Sequence, residues 1–443
     1  MAVRSALLAR MPALQSADYR LLFISGFFTA GSRWAMVLGR GWLVFEMTDS
    51  ATAVGAVTFS SFIPFVFIGP VAGAIADRVD RRQQLLVTTA VAVASATVLA
   101  VITIADVVEL WHVVALSLVS GVAQAGTVPA RTAMMPNLVP REQLLNAVAL
   151  GSIAQHGSRI IGPIFGAALL AFAGAGYVFL FSTVLLSLGL FGVWRIRFRQ
   201  SEAAAAAGGG LGRALLSIGG DLREGVAYVQ RDRRVATMMV MVMVHCGLTM
   251  SFDSMMPTLS TIVGGASTIY GAILVGIGTG AIIGTFALSL VSSPVATGRA
   301  LALAGFGSGV AMLVLGVATF PAAVIAGAML AGATQATFMA LSAVFIQQVV
   351  PDELRGRVMS LYIMMASSHM AILNFGFGWA ADGIGVRVLL IVPALLWSAF
   401  FLASALGLSE VRYMLRRGEF RPLPGATPAA VAGGGEAGGG AGS

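Results

Sequence analysis

Twelve predominantly apolar stretches, each near the length needed to cross a membrane, recur along this chain and constrain its fold more than any single motif. A window of about 19 residues finds them at roughly 21–45, 51–76, 84–105, 111–135, 147–172, 177–194, 235–262, 269–291, 300–320, 322–349, 358–381 and 388–408. Each can span a hydrocarbon core of about 30 Å as a helix. Composition agrees: 58% of the residues are hydrophobic, 10% are charged, and the mean hydropathy of +0.90 leaves the apolar surface nowhere to hide except in lipid. The expected fold is all-α, a membrane protein with twelve transmembrane helices.

All 27 basic residues are arginine, and their placement orients the bundle. Of these, 22 fall in the termini and even-numbered loops, Arg387 falls in an odd-numbered loop, and Arg33, Arg40, Arg131 and Arg159 fall within spans. By the positive-inside rule both termini are expected in the cytoplasm. The same placement disposes of the pI near 10.6 as a nucleic-acid signal, because arginine beside helix ends reads as topology and anionic-lipid contact. Residues 1–20 are basic but lack a small-residue cleavage site, so no removable signal peptide is expected. Cys246 stands alone, which excludes an intramolecular disulfide. His112, His156, His245 and His369 fall on four different spans without ligand spacing, so no metal site is expected.

The chain divides into two halves. Residues 1–194 form the expected N-terminal six-helix bundle and 235–408 the C-terminal one, with a cytoplasmic linker at 195–234 and a largely disordered tail at 409–443. The linker holds an Ala-Gly stretch and an amphipathic piece, Leu215 to Val229, expected to lie on the membrane surface as a helix. Val139-Pro140 with Glu142 recurs as Val350-Pro351 with Glu353, an offset of 211 that also carries Gly69 to Gly280 and Gly73 to Gly284. Both Val-Pro pairs follow the fourth span of their half, so the bundles read as pseudo-symmetric parallel repeats.

One loop is denser in charge than its surroundings. Gly69-Pro-Val-Ala-Gly73 leads into Asp77-Arg78, Asp80 and Arg81-Arg82, between the second and third spans. This pattern resembles the signature loop of the major facilitator superfamily of secondary transporters, with Asp80 at the signature's fourth site as in the efflux branch. Further motifs resemble the enterobactin-exporter-like and macrolide-efflux-like group: Asp18-Tyr-Arg20, Val128-Pro-Ala-Arg131, Val139-Pro-Arg-Glu142 and Leu354-Arg-Gly-Arg-Val358. Gly157, Gly162, Pro163 and Gly166 in the fifth span resemble the antiporter motif of the exporters. Small residues at that spacing also let helices approach closely, and Pro163 permits a bend. The superfamily often places a proton-coupling arginine three residues before a Gln-Gly pair in the fourth span; here that site, before Gln124, is Gly121.

Charges within spans are costly, roughly 2.5–3.5 kcal/mol at the bilayer centre on insertion scales, and default to a functional reading. Arg33, Arg40, Arg159 and the acid Asp253 are therefore the candidate substrate and coupling residues, with Gln124 as a cavity polar group. Gln155, Gln335 and Asn374 fit either a cavity or helix-to-helix hydrogen bonds. Asp253 is the candidate titrating carboxylate. The 211 offset places it level with position 42, so an ion pair with Arg40 across the outer gate is expected. On the cytoplasmic side, the resemblance implies a gate of Gly73, Asp77, Arg78, Asp80, Arg81, Arg82, Arg355 and Arg357, with Asp77 against the start of the eleventh span, whose N-terminus carries partial positive charge.

These readings converge on an exporter of a small amphipathic or aromatic compound, drug or siderophore-like, exchanged for protons by a monomer in a bacterial inner membrane. The resemblance implies no cofactor; the partners are the cargo, protons and membrane lipid. A lysophospholipid flippase or an importer is the alternative. An enzyme is disfavoured because no paired carboxylates, activated nucleophile or metal cluster occurs within the spans. A receptor would need an output domain larger than the loops allow.

Overall fold

The computed structural model describes residues 12–76, 80–198 and 211–421. Asp77 and Arg78 of the expected gate, the Ala-Gly stretch of the linker and the tail beyond residue 421 lie outside the described residues; Gly73 falls in the helix Pro64–Ala76.

Eleven helices among the described residues are long and apolar enough to cross a membrane. The fifth span, Leu144–Ala173, completes a set of twelve, and its Gly157–Ala173 part is apolar. Side-chain caps set where spans begin. Ser16, Ser50, Asp80 and Ser293 each accept a hydrogen bond from a backbone N–H of the turn they precede, which satisfies donors that a helix leaves open. Asp80 is thus the N-cap of the third span, Arg81–Ile104, with its carboxylate on Arg82 N at 2.8 Å.

Two spans are not single rods. The second consists of Ala51–Phe62 and Pro64–Ala76, interrupted at Ile63, where Pro64 has no N–H to continue the ladder. The seventh, expected as one helix over 235–262, runs Arg233–Thr249, breaks, makes a 3-10 turn at Asp253–Met255 and resumes as Met256–Ile262. Pro257 suits the restart, since it sits in the helix's first turn, where its missing N–H costs no hydrogen bond. Polar side chains replace the lost ladder: Gln335 Nε2 donates to Thr249 O, Ser251 Oγ to Cys246 O at 2.9 Å, and Ser254 N to Asn374 Oδ1 at 3.1 Å. In lipid a broken helix survives only with such repair.

The first and last described residues, Pro12 and Arg421, lie on one face of the bundle, here called the termini face; the opposite face is the distal one. The halves meet mainly toward the distal face. Phe59 lies 5.9 Å from Phe375 (spans two and eleven), and Trp42 stacks on Tyr270 at 6.2 Å (spans one and eight). Gly278 and Gly271 of the eighth span, Ser267–Ser289, sit against Arg159 and Ala167 of the fifth. At Gly278 a Cβ would meet the Arg159 carbonyl, so only glycine permits that approach.

The linker segment forms a helix, Leu211–Arg231. It packs against Pro64–Ala76 of the second span and against the eleventh span, Asp352–Ile384, and so touches both halves. Past the last span, Ser409–Arg417 forms a short helix against the ninth and twelfth spans.

Candidate functional site

The first span, Ala17–Thr48, carries Arg33 sixteen residues from its start, about 24 Å along the axis and near mid-membrane. There Arg33 lines a cavity of about 190 Å³ formed within the first half, together with Thr89, Gln124, Arg131 and Gln155. The cavity reaches back to Tyr19 and Met135 at the termini-side ends of spans one and four.

Two arginines in this cavity differ in what they touch. Arg131 is tied down: its guanidinium donates to Leu22 O at 3.0 Å, Thr29 Oγ1 at 3.3 Å and Ser25 Oγ at 3.5 Å. Arg33 makes no hydrogen bond or ion pair among the described residues. Its guanidinium faces the rings of Trp34 and Phe62, 5.8 Å from each centroid.

A smaller cavity, about 50 Å³, is lined by Trp34, Arg159, Asp253 and Gln335. Arg159 stacks on Trp34 at 4.5 Å. One indole therefore faces both Arg33 and Arg159. Asp253 enters from the seventh-span break, which turns its carboxylate toward the fifth span. Arg159 and Asp253 share this cavity without a salt bridge within 4.0 Å among the described residues.

Of the predicted set, the structure brings Arg33 and Gln124 into one cavity and Arg159 and Asp253 into the other. Arg40 joins neither. It is buried, 6% exposed, and its Nη1 lies 3.5 Å from Ser61 Oγ, while Nε and Nη2 have no partner among the described residues. The expected Arg40–Asp253 ion pair is not formed. Equal depth on repeat-related spans fixes height but not direction: Arg40 turns to the second span and Asp253 to the fifth. In the packing motif, Gly162 abuts Gly31 O and Gly166 abuts Leu38, while Gly157 has open space to 3.9 Å; Pro163 sits inside a continuous helix.

Two arginines of the charged loop donate to carbonyls of the first half. Arg81 donates to Ala133 O at 2.7 Å and Arg82 to Trp194 O at 2.6 Å. At the start of the eleventh span Arg355 pairs with Asp352 at 2.5 Å, and Arg357 pairs with Glu224 of the linker helix at 2.7 Å.

A contact on the distal face was not anticipated from the sequence. Asp382, in the last turn of the eleventh span, accepts from Ser50 Oγ and Thr52 Oγ1, each at 2.6 Å, from Ala51 N at 2.8 Å and from Thr52 N at 3.1 Å. A carboxylate of one half thus sits on the helix N-terminus of the other, where the backbone dipole favours negative charge. The signal available in the sequence was a Ser-x-Thr cap before one span and an acid ending another.

A family model described as transmembrane secretion effector matches residues 9–419. The staphyloferrin A transporter of Staphylococcus aureus is 28% identical over 178 residues, 39% of this chain and 45% of that relative. Macrolide efflux protein A of Streptococcus pyogenes is 28% identical over 124 residues, 28% of this chain and 31% of that relative. The chain spans less than half the length of these curated relatives. Among solved structures, the human organic anion transporter MFSD10 superposes with a TM-score of 0.63 at 16% identity, covering 87% of this chain and 98% of that one. The nucleoside transporter NupG does so with a TM-score of 0.62 at 14% identity, covering 87% and 98%. At such identities the likeness is one of fold.

Proposed function

Since the chain belongs to the transmembrane secretion effector family of the major facilitator superfamily, we propose that it is a secondary active exporter of a small amphipathic or aromatic compound, working by alternating access in exchange for protons. The observation that carries this reading is the placement of Arg33, Arg159 and Asp253 beside cavities near mid-membrane, with closure of the halves concentrated on one face. Buried charges of this kind are expensive in lipid and mark substrate and ion pathways.

In this reading the termini are cytoplasmic, as the arginine distribution implies, and the distal face is external. The conformation is then closed outward, with the Asp382 latch engaged. Cargo enters the larger cavity past Tyr19 and Met135 and reaches Arg33. Asp253 carries the exchanged proton, because it is the acid that shares a cavity with a central arginine. Rocking of the halves opens the distal face, and the Asp382 contacts must break as it does.

The test is flux in proteoliposomes holding the full chain, with ethidium, erythromycin and naphthalene-2-sulfonate as cationic, macrolide and anionic probes, with and without a pH gradient. Gradient-dependent accumulation of at least one probe is expected. Asp253→Asn should abolish that accumulation while sparing counterflow, which needs the cavity but no net proton movement. Flux no greater than in empty liposomes for every probe would overturn transport, and flux indifferent to the gradient would overturn proton exchange.

A further inference from the structure

We infer that the cargo is an anion: an aromatic or amphipathic compound bearing a carboxylate, sulfonate, phenolate or phosphate, held by Arg33 and Arg159 beside Trp34. The inference deepens the transport reading, and rests on it only for what the bound anion is for.

Two guanidiniums near mid-membrane keep hydrogen-bonding capacity that no protein acceptor among the described residues fills. A guanidinium carries five N–H donors and stays charged, and buried donors in folded proteins are nearly always satisfied. Arg131, in the same cavity as Arg33, obeys this rule with three oxygen partners from the first span. Arg33 and Arg159, half-buried, keep their nitrogens open to the cavities instead of on a protein acceptor. Among the described residues neither has a hydrogen bond or an ion pair, and both lie against the ring of Trp34. An aromatic face attracts a cation while leaving the N–H edges of the guanidinium free for a second partner. Those edges belong to side chains lining cavities, Arg33 the larger and Arg159 the smaller.

Charge points the same way. Three arginines and one carboxylate, Asp253, line the two cavities. Arg159 and Asp253 close no salt bridge, and the positive excess remains. A lone cation near mid-membrane is costly, and among the described residues Arg33 has no ion-pair partner. A carboxylate or sulfonate fits the planar fork in a bidentate manner, and the apolar lining of the larger cavity, Leu22, Phe23, Met36 and Leu186 among it, accepts the apolar part of the same molecule. Water filling the cavities in place of an anion is the competing occupant, and binding measurements separate the two.

The experiment titrates the full-length protein in nanodiscs with two permanently charged aromatic ions of matched size, naphthalene-2-sulfonate and N-methylquinolinium, by calorimetry. The anion is expected to bind and the cation not to. Arg33→Gln and Arg159→Gln should each weaken anion binding by about tenfold to a hundredfold, the loss of one charge-assisted hydrogen-bonding partner. Because Arg159 also packs on Trp34, thermal unfolding is recorded alongside, and Arg159→Lys supplies the decisive comparison: recovery of anion binding by lysine but not by glutamine is a result that packing alone does not produce. Equal affinity for the two ions, preference for the cation, no anion binding at millimolar concentration, or wild-type affinity in both glutamine variants would overturn the inference. Anion binding with no flux of any probe would sink the export reading and leave this one standing; flux of ethidium or erythromycin without anion binding would do the reverse.

Discussion

Replacing Asp382 by asparagine should shift the protein toward opening on its distal face. The carboxylate accepts four hydrogen bonds from Ser50, Ala51 and Thr52, and all four donors belong to the first half while Asp382 belongs to the second. Asparagine keeps one carbonyl oxygen but turns an NH2 group toward donors, so about half of the contacts are lost along with the charge at the helix N-terminus. The site is exposed, and solvent screens it. A capping interaction of this type is worth about 0.5–2 kcal/mol and the charge on the dipole about 0.3–1 kcal/mol, which sets the loss at about 1–2 kcal/mol. That moves the closed-to-open ratio by roughly 5–30-fold. Electron spin-spin distances report the change directly, with labels at Val107→Cys and Phe320→Cys in a Cys246→Ala background. Both label sites are exposed, 59% and 57%, in distal loops of opposite halves. A longer-distance population should grow in Asp382→Asn, and Thr52→Val should move it the same way by a smaller amount. A distance distribution identical to that of the parent protein would refute the latch.

Arg40→Met should raise thermal stability in detergent by about 1–4 kcal/mol, since replacing poorly compensated buried charge with a well-packed apolar chain is often stabilising; a lowered unfolding temperature would show that Arg40 is compensated after all. Asn374→Leu leaves Ser254 N without its acceptor, at a cost of about 1–3 kcal/mol, and should raise hydrogen exchange at residues 250–256; unchanged exchange there would count against the repair. At the linker junction, burial pushes the Asp232 carboxyl up, but hydrogen bonds from the Arg234 side chain and backbone outweigh it and hold the group below its ordinary value. The stability from this contact is therefore complete above the unfolded value of about 3.9 and lost as pH falls through the lower folded one, so protection of the linker helix should persist to about pH 4 and fail below it; failure near neutrality would refute the assignment. An anion leaving as a proton enters moves two charges in one electrical sense, about 4.6 kcal/mol per 100 mV at 2.3 kcal/mol per charge, so a valinomycin-set potential should drive naphthalene-2-sulfonate efflux, and electroneutral flux would separate the anion from proton exchange.

Hydropathy located every span, because lipid demands long apolar runs whatever the neighbours are. It also picked out Arg33, Arg159 and Asp253, since charges stand out where almost none are tolerated. What it could not supply was direction around each helix axis. Arg33 and Arg40 are seven residues apart and share a helical face in projection, yet one lines a cavity and the other turns to Ser61. The seventh-span break was hidden for a related reason: residues 235–262 average as one apolar run despite Ser251, Asp253 and Pro257, and two of the groups that repair the break come from Gln335 and Asn374, far away in sequence. Asp382 reads as an ordinary solvated acid at a span end until the second span is seen to begin beneath it.

The eleventh span links two of these features mechanically. Asn374 grips the seventh-span break beside Asp253, and Asp382 grips the second span, eight residues further along the same helix, about 12 Å away. A continuous helix of that length moves as a stiff rod. Any tilt that frees Asp382 from Ser50 and Thr52 must pull on the backbone next to Asp253, and loosening that backbone must slacken the hold of Asp382. Movement at the distal face and movement at the seventh-span break are, through this one rod, two ends of a single stroke.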